Sequence, residues 1–385
     1  MEYDFKNDIT IGIDDSTGHL ELVQDVTGIV ISHRYEISNG LLPKIELPYM
    51  IVTLRGNTFD PLQNPRMKQG AYISMTVKPD SPIAQFPLFI GWIDEISVSY
   101  EAFGQAEITI VAYNVIKRLM SPKVDYLALA QQGCFSRMTT LFAQARTTYS
   151  GLPAVTSAGA VGVMPAETVA DTTIGDLVQQ CLDAEAGMLR AQYTMSTYDV
   201  KFFNRYEVAY TVGNSPANNW VGFSTNHNAS ATHFCMNNAD VAFDTNTQVN
   251  WIRAELSWDS ATYIDGTTYA TCKNATSVAA YGSVPETVRL NLTRPTGNPT
   301  QFLKTWVDAL VLSRTPKRVR SVTCTPITPT GGLNGYMLQK QIIDVADVTI
   351  QRGSNSISVK YLITGVRHEI TPTSWSINYE LFPGI

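Results

Sequence analysis

The side chains best equipped for chemistry in this chain do not converge on one reaction. His233 and Cys235 lie two apart and Cys272 follows at a distance, a partial metal set with no fourth ligand at a recognised spacing. They read as a loop histidine and buried thiols. Asp94 and Glu95 are adjacent, but neighbours on a strand point to opposite faces, so they cannot flank one bond as a glycosidase pair must. Glu95 then reads as a solvated or interface carboxylate. Asp94 falls on the apolar face, where it either hydrogen-bonds at the end of a barrel or faces a subunit partner. Asp14 and Asp15 sit in a turn, where Asp is expected without function. No GxSxG, HExxH, P-loop or strand-to-helix GxGxxG pattern occurs. Lys317, Arg318 and Arg320 are too few, in a chain of net charge −6, to make a nucleic-acid footprint. The expectation is no catalytic residue, no metal and no cofactor.

The elements that hold these residues are strands. Ile90, Trp92, Ile96, Val98 and Tyr100 share one face of a period-two pattern broken only by Asp94, with Glu95, Ser97 and Ser99 on the other. Past a short connection, Ile108, Ile110 and Ala112 alternate with Glu107 and Thr109, which predicts an antiparallel hairpin. The chain writes a similar hairpin near its end. Gly365-Val366-Arg367-His368-Glu369-Ile370-Thr371 echoes Gly91-Trp92-Ile93-Asp94-Glu95-Ile96-Ser97, and Trp375, Ile377, Tyr379 and Leu381 alternate on the return. Apolar parity switches at Val366, so a bulge or bend is expected at Gly365. Such self-similarity marks either a duplicated barrel or a chance likeness of two strands.

Composition agrees with a β-rich chain. The 385 residues are 44% hydrophobic and only 16% charged, with many Thr, Ser, Asn and Tyr, and suit roughly two to four domains. No run of about eighteen apolar residues occurs, so no membrane span is expected, and the acidic start lacks the layout of a signal peptide. The five cysteines show no CxxC spacing and read as reduced residues of a protein made in a cytoplasm.

Strand signals at residues 9–13, 20–24 and 28–35 lead to a strand at 51–55, which runs into Phe59-Asp60-Pro61. The aromatic is expected to plug a barrel end while Asp-Pro turns the chain. A 3.6-residue period predicts a helix over residues 135–149, capped by Ser136, and a second opening on the capping box Thr173-x-x-Asp176 and ending at Gly187. A hairpin follows at 188–206, then strands at 249–257 and 268–273, and a third helix from Asn298-Pro299 to Thr315-Pro316. Residues 212–247, rich in Asn, Ser, Thr and Gly, read as a long surface excursion with Trp220 as a candidate contact residue.

The order TLRGNTFDPLQNP, GAYISMTV, then PLFIGWIDEISV and AEITIVAYNVIKRLM resembles the minor tail proteins of long-tailed phages, a group that includes tail-tip and baseplate hub proteins. The run from Ile174 to Arg205 is similar to that family's helix-plus-hairpin insert, SVAAYGSVPETVRLNL to its strand connector, and SRTPKRVRSVTCTP to its basic strand entering a second barrel. A departure is Asn114, where the family often has Asp.

The resemblance implies a mainly β protein with an α+β insert: two tail-tube-like antiparallel β-barrels joined by a helix-containing middle region. The divisions it implies are an N-terminal barrel at 1–122, an insert with polar excursion at 123–247, strands and a connecting helix at 248–315, and completion of the second barrel at 316–385. It further implies a non-enzymatic virion protein of the tail tip, synthesised in the host cytoplasm and acting as a homotrimer. Neighbours would be the tail tube or distal tail proteins, with fibre, spike or tape-measure proteins nearby and DNA only in transit. Gly91, Trp92, Asp94, Glu95, Ile96, Gly365, Val366, Glu369 and Ile370 are the expected barrel or subunit-interface residues, and Phe59, Asp60 and Pro61 the family turn. Two other classes stay open: a receptor- or carbohydrate-binding tail module using residues 212–247, and a wall hydrolase, for which no site is visible.

Overall fold

A strand presents successive side chains to opposite faces, so alternating sequences bury one face and pair along their edges. The computed structural model describes residues 4–15, 18–38, 42–100, 104–157, 162–185, 187–195, 198–204, 221–225, 233–243, 250–256, 263–264, 275–290, 317–328 and 332–383. In the main sheet, β1 (Ile9–Asp15), β2 (Gly18–Glu21), β3 (Val26–Ser38), β4 (Leu42–Arg55), β5 (Tyr72–Val77), β6 (Phe86–Ser99) and β7 (Glu107–Tyr113) lie in the order β2-β1-β5-β6-β7-β4-β3. Later come β8 (Val221–Ser224), β9 (His233–Cys235), β10 (Asn238–Phe243), β11 (Lys317–Cys324), β12 (Val345–Arg352), β13 (Asn355–Thr371) and β14 (Ser374–Pro383), in the order β9-β8-β12-β13-β14-β11-β10. The two runs have the same plan. Five consecutive strands of each, β5-β6-β7-β4-β3 and β12-β13-β14-β11-β10, pair antiparallel in the same sequence, while the strands beyond β5 and β12 differ: β1 runs antiparallel to β5, and β8 runs parallel to β12.

One pairing joins the halves. Gly365 to Ile370 of β13 lie opposite Arg34 to Ile29 of β3, giving a single 14-stranded sheet. Neither run closes on itself among the described residues, so the shared feature is a mainly β repeat of seven strands.

The ladders define which residues correspond. In β6 the register to β7 shifts between Ile93 and Glu95, and in β13 the register to β14 shifts between Ile363 and Gly365. Asp94 and Thr364 are therefore the extra residues of matching bulges. That is why Asp94 breaks the apolar alternation. The neighbouring edge agrees: Ile93 exchanges backbone hydrogen bonds with Gly70 and Ala71, and Ile363 does so with Ile343 and Asp344. Gly70 and Ile343 even share a left-handed backbone, φ 80° and 76°, although a β-branched residue is strained there. The structural match is thus Ile93 with Ile363, which puts Gly365 in the place of Glu95 and corrects the seven-residue echo by four positions.

The segment between the halves has its own core. It contains α1 (Val115–Met120), α2 (Cys134–Thr148), α3 (Ile174–Glu185) and a hairpin of Met188–Tyr193 with Tyr198–Phe203. Leu141, Phe142, Leu177, Val178, Leu182 and Phe202 are buried together there. The capping box is present, with Asp176 N donating to Thr173 Oγ1 at 3.0 Å.

Several expectations need correction. Gly133, not Ser136, is the N-cap of α2, and the Cys134 amide, which has no partner within the helix, donates to Gly162 O at 2.9 Å. Residues 20–24 are strand only to Glu21 and then turn as the 3-10 segment Val23–Asp25. The stretch read as a strand connector begins as the helix Ala275–Tyr281, ended by Gly282 at φ 81°, before the strand Pro285–Leu290. The polar excursion contributes β8, β9 and β10 to the main sheet, and Phe223, Phe234, Met236 and Ala242 are buried. Three- to six-residue strands are too short to show a period of their own. Trp220, Cys272, the strand at 268–273 and the third helix lie outside the described residues.

Candidate functional site

His233 and Cys235 lie in β9, and apart from the turn at residues 59–61 the marked barrel or interface residues lie on β6 and β13. Gly91 is buried where a Cβ would meet Tyr113 O at 2.3 Å, so no other residue fits without moving backbone. Trp92 packs within the chain, edge-on to Tyr72 at 5.8 Å and to Tyr198 at 5.6 Å, with the Arg118 guanidinium 4.0 Å from its ring. This pins the first seven-strand run to the middle hairpin. Asp94, displaced by its bulge, accepts Lys117 Nζ at 2.7 Å, and Lys117 also lies 3.8 Å over the Tyr113 ring. The carboxylate with two open readings is therefore tied to α1 of its own chain. Glu95 is exposed and Ile96 half-buried, on a β6 edge that no described strand pairs.

The corresponding part of β13 is covered. Val366 lies opposite His33 and Ile370 opposite Ile29, all within the joint between β13 and β3, while Glu369 projects outward and pairs with Arg367 at 2.9 Å. Gly365 lets the bulge approach Glu380, since a Cβ would come within 2.9 Å of its carboxylate. Arg34 bridges the joint, 3.0 Å from Glu380 and 3.5 Å from Glu46, and burial pushes the Glu380 carboxyl upward.

Two histidines were missed by sequence reasoning. Half-buried His33 and buried His368 line one small cavity with Arg190 and Lys340. Burial lowers His33 to about 4, and burial together with the nearby His33 lowers His368 to about 3. Each is a lone His within an alternating strand, a pattern that carries no signal of pairing until β3 meets β13.

The Phe59-Asp60-Pro61 turn behaves as its residue types require. Phe59 is buried, and the Asp60 carboxylate accepts from the Leu62 amide and the Tyr100 hydroxyl, both at 2.9 Å. Asn114 caps α1 through its Oδ1, which accepts from Ile116 N at 3.0 Å, and its Nδ2 donates to the Tyr193 hydroxyl at 3.1 Å. The amide thus uses both its acceptor and its donor within the chain. Among the described residues no group of three His, Cys, Asp or Glu is placed to hold a metal ion. No described helix is long and apolar enough to cross a membrane.

That sheet has known counterparts. The crystal structure of the tail protein from Neisseria meningitidis MC58 superposes with a TM-score of 0.60 at 10% identity, covering 97% of this chain and 96% of that one. The 43 kDa tail protein of prophage MuSo2 from Shewanella oneidensis gives 0.59 at 12% identity, covering 97% and 98%. The fold is that of phage tail proteins. The same tail-protein fold extends to the E. coli c3393 protein, a type VI secretion component described as similar to the T4 tail proteins gp27 and gp5. Its TM-score is 0.50 at 8% identity, over 94% of this chain and 74% of that one. No family model matches the sequence, and no curated protein matches it.

Proposed function

We propose that this chain is a structural, non-enzymatic protein of a phage tail tip, a hub in which three copies form a ring continuous with the tail tube. The observation that carries this reading is the repeat: each chain supplies two seven-strand runs of one plan, joined edge to edge. Three chains then present six similar units to a hexameric tube, so a symmetry mismatch is resolved inside the polypeptide. In this reading each run contributes a barrel-like wall, one within residues 1–122 and one completed by 316–385, with the middle region on the outside. The tail tube, distal tail proteins and a fibre, spike or tape-measure protein are its neighbours in the virion. DNA passes without binding, for which a net charge of −6 is suited because like charge keeps phosphate from sticking.

The test is electron microscopy of tails carrying an antibody label on this chain. Three copies around the tail axis at the tip are expected. A label on the fibres, or on the capsid, overturns the reading.

A further inference from the structure

We infer that the open β6 edge of one copy pairs with the open β10 edge of the next, repeating between chains the joint that β13 and β3 make within one. The inference rests on the ring reading and assigns the strands that close it. The argument comes from one row of residues crossing each half. In the first, Ile29 lies opposite Val52, Val52 opposite Ile110 and Ile110 opposite Ile96; in the second, Ala239, Val322, Tyr379 and Val366 follow the same path. Where the halves meet, the row ends are covered: Val366 is 3% exposed and Ile29 1%. Their counterparts Ile96 and Ala239 are only half-buried, each against the main core, and so are Val98 and Val241 beside them. Equivalent residues are therefore buried at the closed joint and half-covered at the two edges that lack one.

Those edges are complementary. Among the described residues no strand pairs β6 beyond Ile93 on the side of β5, and β10 pairs only β11. Both are short runs with apolar residues, without Lys or Pro to discourage pairing, and an unpaired edge of that kind templates a further strand. The contact is head to tail, using different edges on the two partners, so it generates a ring when the rotation closes. The covered joint fixes the register. Ile370 opposite Ile29 and Glu369 opposite Val30 translate to Tyr100 opposite the next copy's Ala239, and Ser99 opposite its Asp240.

The experiment joins Ser99→Cys with Asp240→Cys in the full chain, both at exposed positions, with each single variant as control for pairing with native thiols. Oxidation of assembled tails, and of the purified protein at rising concentration, is expected to give covalent trimers on a non-reducing gel from the double variant alone. Amide exchange at residues 95–99 is expected to slow at least tenfold on assembly. Threefold rings whose double variant stays uncrosslinked, with fast exchange at residues 95–99, overturn the strand assignment and leave the tail-tip reading standing. A chain that neither crosslinks nor associates in solution or in tails overturns both.

Discussion

Trp375 Nε1 donates a 3.3 Å hydrogen bond to His368 Nδ1, which leaves the single proton of this buried imidazole on Nε2. A second proton would have to break that bond, beside His33 and with Arg190 and Lys340 lining the same cavity. Both histidines are held below the ordinary value of 6.5, at about 3 and about 4. The unfolded chain therefore binds protons first, so their contribution to stability is complete above about pH 6.5 and is lost as pH falls toward those values, with a slope of up to ~1.4 kcal/mol per pH unit for each. Glu380, pushed up by burial, titrates in the opposite sense, so the comparison is between variants. Urea midpoints measured from pH 7 to pH 5 are expected to fall less steeply in His368→Gln than in the parent. Parallel slopes would refute a neutral His368 at the joint.

Gly91 offers a steric test. A methyl group there meets Tyr113 O at 2.3 Å, and that residue is held by strands on both sides, opposite Trp92 of β6 and Tyr49 of β4. Gly91→Ala is expected to lower stability by about 1–3 kcal/mol, the usual cost of overpacking. Gly70→Ala is a different case: nothing lies within 4 Å, and its cost comes from a left-handed φ of 80° alone. Chemical denaturation that ranks the two variants in reverse order would contradict the close approach of β6 and β7.

The features legible in the sequence were those whose cause is local. The hairpin of β6 and β7, the bulge at Gly365, the Asp60 turn and the Thr173 capping box each depend on residues within a few positions of one another. The seven-residue echo pointed to the right two strands but to the wrong alignment, because side-chain types repeat every second residue while the true register is set by bulges visible only in the ladders. Asp94 illustrates the limit. Its parity was apparent, but its ion pair with Lys117 needs α1 to fold back on β6. The strands β8 to β10 were hidden for the same reason, since their partners β11 and β12 lie far along the chain.

Arg137 is the buried cation of the middle region. Its side chain is 1% exposed and serves Glu167 and the Ala130 and Pro165 carbonyls together. Loss of one partner from a buried pair costs about 3–5 kcal/mol, because the remaining groups are left dry and unpaired. Glu167 is 26% exposed and can turn to solvent, so Arg137→Met is expected at the lower end of that range. Combining it with Glu167→Gln is expected to cost less than the two single changes summed. Strict additivity in the double-mutant cycle would show that the pair contributes no coupling.

Tyr35 takes the place of a missing strand. Its hydroxyl donates to Leu189 O at 2.9 Å and accepts from Leu189 N, reaching from β3 into the middle hairpin. Leu189 is fully buried, so water has no ready access to either backbone group if the hydroxyl is removed. Tyr35→Phe keeps the ring and its packing while stranding a donor and an acceptor, each worth about 1–3 kcal/mol when buried unpaired. Amide exchange in the hairpin of Met188–Tyr193 and Tyr198–Phe203 is expected to speed up by tenfold or more, while the paired strands β11 and β14, beyond the joint of β13 and β3, keep their protection. Uniform acceleration across both regions would mean that the substitution acts on global stability, and that Tyr35 is not the particular tie between the first run of strands and the middle region.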